Sequence, residues 1–161
     1  MTEAPHGGKD SRLDKDLLSQ HRAEPAEPDG SDTYALYRRG LDLLGRGSAA
    51  AAAQLLERAA AAEPLSRSVL EALARAQFDA GRYTDAAGSF RQIVEVSPSD
   101  DYAQFGLGLA LARAGNPRAA AEHLALAAAM RPDLRHYTDA LRGVRATLRS
   151  RARAQDSPDD K

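Results

Sequence analysis

The stretch AGNPRAA, residues 114–120, sets Gly115, Asn116 and Pro117 between two runs of alanine and leucine. Glycine suits the position just past a helix C-terminus, asparagine suits an N-cap, and proline suits the first residue inside a helix. One helix stops here and another starts almost at once. The same punctuation recurs. Gly47, Gly81 and Gly115 are 34 residues apart, and so are Pro64, Pro98 and Pro132, and Ala52, Ala86 and Ala120. Three residue types sharing one period make an internal repeat. One helix-length segment separates each of these glycines from its proline, and another separates each proline from the next glycine. The unit is a helical hairpin, and the expected fold class is all-α. Ser68 to Glu71 reads as a capping box, with Asp101 to Gln104 as its equivalent one repeat later.

Outside the repeats the composition changes. Residues 1–32 carry four basic and eight acidic side chains, and residues 154–161 carry one and three. The body between them carries 17 arginines against 12 acids, because all three lysines lie in the tails. A surplus of that size is a mild preference for acidic partners and too weak to argue for nucleic acid. Both tails are expected to be disordered, since they hold few large apolar groups. Leu13, Leu17 and Leu18 share one helical face, a weak signal for a transient helix at 11–22. The chain has no cysteine, so disulfides and thiolate metal sites are excluded. Its charged N-terminus lacks the apolar core of a signal peptide, and the apolar runs are too short to span a bilayer. A cytoplasmic protein is expected, and the alanine and arginine bias points to a GC-rich bacterial genome.

A 34-residue helical hairpin resembles the tetratricopeptide repeat, and the signature can be followed residue by residue. The copy at 101–134 has Leu107, Gly108, Leu111, Ala120, Leu124 and Pro132 at the family's spacings, with Gln104 in place of the large aromatic. The copy at 67–100 has Leu70, Leu73, Ala74, Ala86, Phe90 and Pro98, with Gln77 where tyrosine is usual. The copy at 33–66 has Leu36, Gly40, Leu43, Ala52, Leu56 and Pro64, and departs from the family at Arg39, where a core leucine is usual. The resemblance implies a right-handed superhelical stack of hairpins. Small residues at Gly40, Ala74 and Gly108 are expected to let paired helices approach closely. Arg39 is expected to pack its stem and carry its guanidinium to solvent. Residues 135–153 follow as a seventh helix, with Leu141, Val144 and Leu148 on an apolar stripe and Arg142, Arg145 and Arg149 on a basic one. This reads as a solvating cap, the alternative being a basic helix that binds an acidic surface.

The family binds peptides along a concave face built by the first helix of each repeat. Carried onto this chain, that face comprises Tyr34, Tyr37, Arg38, Leu41 and Leu44, then Ser68, Glu71, Ala72, Arg75, Phe78 and Asp79, then Tyr102, Phe105, Gly106, Leu109, Ala112 and Arg113. Five of the eight aromatics fall on it, and aromatics with arginines are what binding surfaces enrich. The other reading is that these rings pack on the next helix or on the N-terminal segment. A family subclass that grips a C-terminal carboxylate needs lysine, asparagine and arginine where this chain has Tyr37, Leu41, Ala72, Tyr102 and Gly106. An apolar peptide or helix with some negative charge fits better. Gly106 is the odd residue: Gly108 already serves close packing, so Gly106 is expected to form a depression for a partner's side chain or to admit another helix.

No catalytic constellation is visible. His6, His21, His123 and His136 are scattered, and no metal-ligand or phosphate-cradling spacing occurs. Acids at Asp100 and Asp101 precede a helix, where they complement its dipole. The expected function is therefore a protein-interaction module without cofactor or metal. The alternative is a self-associating repeat protein whose groove holds its own or a neighbour's N-terminal segment.

Overall fold

The computed structural model describes Leu18 and residues 32–157. Seven helices follow in order over 32–157: α1 Asp32–Gly45, α2 Ala49–Ala62, α3 Arg67–Asp79, α4 Tyr83–Val96, α5 Asp101–Arg113, α6 Pro117–Met130 and α7 Arg135–Asp156. Leu18 is helical as well, and no strand occurs among the described residues. The expectation of three hairpins plus a final helix matches this order. The chain divides into two compact units, 1–89 and 90–161, with the boundary inside α4.

The stretch at 114–120 folds as its residues require. Gly115 has φ +89°, a left-handed conformation that glycine adopts without strain. Its N–H donates to the Ala112 carbonyl at 3.2 Å, and the Asn116 N–H donates to the Leu111 carbonyl at 2.9 Å. That pair of bonds is the Schellman arrangement. Asn116 then turns to the next helix, its Oδ1 accepting from the Ala119 N–H at 3.2 Å, and Pro117 opens α6. Gly47 and Gly81, at φ +80° and +78°, close α1 and α3 with the same two bonds.

Within the first unit, Tyr37, Leu44, Ala52, Ala53, Leu56, Val69, Ala72 and Leu73 form the core. A β-carbon on Gly40 would stand 2.6 Å from Leu56 Cγ, so α1 and α2 meet only because residue 40 has no side chain. In the second unit Gly108 plays the same part, with Leu124 Cγ 2.6 Å from the position a β-carbon would take. The close-approach expectation holds at both sites.

Several local expectations are corrected. Helix α3 is capped by Ser66, whose Oγ accepts from the Val69 N–H, and not by Ser68. Glu71 does not reach back to a cap but pairs with Arg67 at 2.6 Å. Helix α5 is capped by Asp100, one residue before the expected Asp101. Arg39 is exposed, as a guanidinium carried to solvent requires, and among the described residues no hairpin precedes α1. Helix α7 runs to Asp156, beyond the expected residue 153. The remaining tail residues lie outside the described set, as do Leu13 and Leu17.

Candidate functional site

Helices α1 and α3 supply the candidate face of the first unit. On α1, Tyr37 and Leu44 are buried, Tyr34 and Leu41 are half-buried, and Arg38 is exposed. On α3, Glu71, Ala72 and Phe78 are buried, while Ser68, Arg75 and Asp79 are half-buried. The charges of this face act on the Tyr37 hydroxyl. Burial raises its pKa above the ordinary tyrosine value and the Glu71 carboxylate raises it further, while Arg75 and Arg38 oppose both. Glu71, Arg75 and Arg38 are thus near enough to Tyr37 to act on it electrostatically. Phe78 meets Tyr83 edge to face with ring centroids 5.1 Å apart, which is core packing within the unit.

Helix α5 supplies the candidate face of the second unit, and there the structure departs from expectation. Ten consecutive residues, Tyr102 through Leu111, are buried. Phe105 stacks on Tyr137 of α7, with centroids 4.4 Å apart and an interplanar angle of 21°. The His136 ring meets Phe105 edge-on at 5.3 Å. Tyr102 packs edge-on against Phe90 at 6.1 Å. Gly106 makes no depression, since the Phe90 ring fills the space, 2.4 Å from where a β-carbon would stand. Leu109 is buried too, and only Ala112 and Arg113 are half-exposed. The aromatic residues placed on this face are therefore core residues, except for the half-buried Tyr34 of the first unit.

Sequence reasoning gave Tyr137 no role and read His136 only as one of four scattered histidines. Tyr137 is fully buried, and its hydroxyl donates to Asp101 Oδ2 at 2.8 Å. Burial first, then that hydrogen bond, raises its pKa. The signal was present: Tyr137 precedes Leu141, Val144 and Leu148 by four, seven and eleven residues, which extends the same apolar stripe by one turn. Asp101 is thus more than an acid at a helix start.

His123 is not solitary either. Its Nδ1 lies 2.8 Å from Gln104 Oε1, and Gln104 Nε2 donates to the Pro98 carbonyl at 2.9 Å. With the amide nitrogen committed as donor, Oε1 accepts, and His123 Nδ1 carries the proton. Burial and then Arg91 lower the His123 pKa, while Glu122 partly opposes them. The polar residue standing where the signature has an aromatic is buried and satisfied. Among the described residues no cluster of three or more histidine, aspartate or glutamate side chains is arranged to hold a metal ion. No helix among them is long and apolar enough to cross a membrane.

Comparison with curated proteins finds no match. Among solved structures, the TPR domain of Sgt2 from Aspergillus fumigatus is 20% identical, with a TM-score of 0.70 over 81% of this chain and 87% of that one. A structure titled MamA MSR-1 is 21% identical, with a TM-score of 0.69 over 90% and 81%. The first TPR of Spaghetti (RPAP3), bound to an HSP90 peptide, is 18% identical, with a TM-score of 0.67 over 72% and 92%. At these identities the likeness is one of fold. The family model described as tetratricopeptide repeat matches residues 37–101 and again 71–135, overlapping windows that follow the 34-residue period. With its hairpins closed by left-handed glycines and its paired helices meeting at Gly40 and Gly108, this chain belongs to the tetratricopeptide repeat family.

Proposed function

We propose that the chain is a protein-interaction module, and that the face of α1 and α3 in the first unit receives a partner peptide or helix. The observation that carries this is the grouping there of half-buried Tyr34, Leu41 and Arg75 beside exposed Arg38. Aromatic and aliphatic surface edged by arginine is the composition of binding surfaces. The arginines select a ligand with some negative charge, and the ring and leucine select an apolar anchor. At the positions where the carboxylate-gripping subclass needs lysine, asparagine and arginine, this unit has Tyr37, Leu41 and Ala72, so a carboxylate-anchored tail is a poor ligand. On the second unit, Ala112 and Arg113 are the candidate residues that stay partly accessible, while Phe105, Gly106 and Leu109 lie buried. No catalytic role is part of this reading. The cytoplasmic setting and bacterial origin belong to the proposal and rest on composition alone.

A displayed library of helical peptides selected against the full chain tests it. Binders should lose about tenfold in affinity on the Arg75→Glu chain, a change of about 1.4 kcal/mol. Binders indifferent to Arg75→Glu and to Tyr34→Ala would place the interaction elsewhere.

A further inference from the structure

Leu18 is helical and 1% exposed, although it stands 14 residues before α1 in a stretch with few other apolar groups. A leucine so far buried is packed against other apolar groups of the chain. Leu18 belongs to the first unit, whose described surfaces differ in character. The outer side of α2 is polar or small, with Ala50, Gln54, Arg58 and Ala61 exposed. The edge of α1 away from α3 has Arg39 exposed at its centre. The side shared by α1 and α3 is different. Tyr37 is buried there, Tyr34 and Leu41 are half-buried, and Glu71 is 2% exposed in spite of its charge. Helix α3 is buried from Val69 through Phe78 with Arg75 half-buried, and α4 covers the part of it where Phe78 meets Tyr83 and Ser89 donates to Gln77.

From these observations we infer that the segment at 11–22 docks through Leu18 on the α1–α3 face of its own chain, as an internal occupant of the proposed binding site. The inference rests on reading that face as a binding groove, and it names the ligand class: a leucine-bearing, acidic segment. In sequence, Leu18 stands beside Leu13 and Leu17 and beside Asp14 and Asp16, a composition that complements an apolar face edged by Arg38 and Arg75. The tether is long enough. The 13 residues between Leu18 and Asp32 reach roughly 40 Å when extended, whereas the 14-residue α1 is about 21 Å long. A tether of this length holds the segment near the face at about millimolar effective concentration, which favours the chain's own segment over a neighbour's. An outside partner must then displace it.

The absence of cysteine allows a direct test on the full chain. Leu41→Cys reports on the face, and Leu65→Cys, at a residue 87% exposed, reports on solvent. Adding Leu18→Asp should speed thiol modification at position 41 about tenfold and leave position 65 unchanged. An unchanged rate at 41 overturns the inference, and so does an equal rise at 65 with loss of helicity, since Leu18 would then be part of the general core. Cross-linking supplies a second measurement that leaves Leu18 intact. A short bis-maleimide should join Leu17→Cys to Leu41→Cys within one chain. A cross-link to Arg39→Cys instead, or a covalent dimer, overturns it in favour of the edge or of a second copy. Neither measurement uses an outside ligand, so docking can fail while the interaction module stands. If docking holds but no leucine-bearing helical peptide binds even the Leu18→Asp chain, the module reading fails alone.

Discussion

Gly106 is the residue whose role the tertiary structure reverses. With Phe90 Cζ 2.4 Å from the site of its missing β-carbon, any side chain at position 106 forces a buried ring to move. Overpacking of this kind costs roughly 1–3 kcal/mol, which exceeds the helix propensity gained on replacing glycine. Gly106→Leu is therefore expected to lower stability in a urea titration, and Phe90→Leu in the same chain should recover part of the loss. An unchanged midpoint for Gly106→Leu would mean that Phe90 yields freely. Arg39 points the other way. It is exposed, so Arg39→Leu should change stability by no more than about 0.5 kcal/mol. The same titration checks it, and a larger shift would reveal a contact.

At the scale of the element, the turns and the last helix carry the argument. Asn116 closes one helix and caps the next, so Asn116→Ala removes the acceptor for the Ala119 N–H and should cost about 1 kcal/mol. Asn116→Gly should cost only a few tenths, and comparison of the two by denaturation isolates the cap from the turn. Helix α7 is held at its start by Tyr137, which stacks on Phe105 and bonds Asp101. Phe105→Ala should cost roughly 3–5 kcal/mol, and its signature should be early loss of amide protection in α7 by hydrogen exchange. If the protection of α7 were unaffected, the stack would be incidental. The arginines beyond Val144 lie on exposed surface, so the second half of α7 gains little from packing.

For the molecule as a whole, pH acts through two histidines of the second unit. Burial lowers the pKa of both His123 and His136 from 6.5, with Arg91 adding to the effect at His123 and Asp139 opposing it at His136. Below about 6.5 the unfolded chain therefore takes up protons that the folded chain refuses, and stability falls with pH. Above that value the contribution is fully present. The unfolding temperature should be flat from pH 8 to 7 and decline as pH falls toward 5. His123→Gln, which keeps a donor for Gln104 Oε1, should flatten the decline; a profile identical to the parent would assign the effect to other groups.

The hairpins, their period and their turns were readable from sequence because each depends on local chemistry. A left-handed glycine, an N-capping asparagine and a proline at the first helical residue act within one turn, and their recurrence every 34 residues identifies the repeat. Gly40 and Gly108 were readable for the same reason: one absent side chain meets a leucine from the paired helix. Exact caps slipped by one or two residues, at Ser66 and Asp100, because neighbouring serines and aspartates offer equivalent acceptors. The candidate face was only half legible. Helical periodicity says which residues share a side of α1, α3 or α5. It does not say what lies against that side. The burial of Phe105 by Tyr137, of Gly106 by Phe90 and of Leu18 each requires residues distant in the chain to converge, and that convergence is decided by packing in three dimensions.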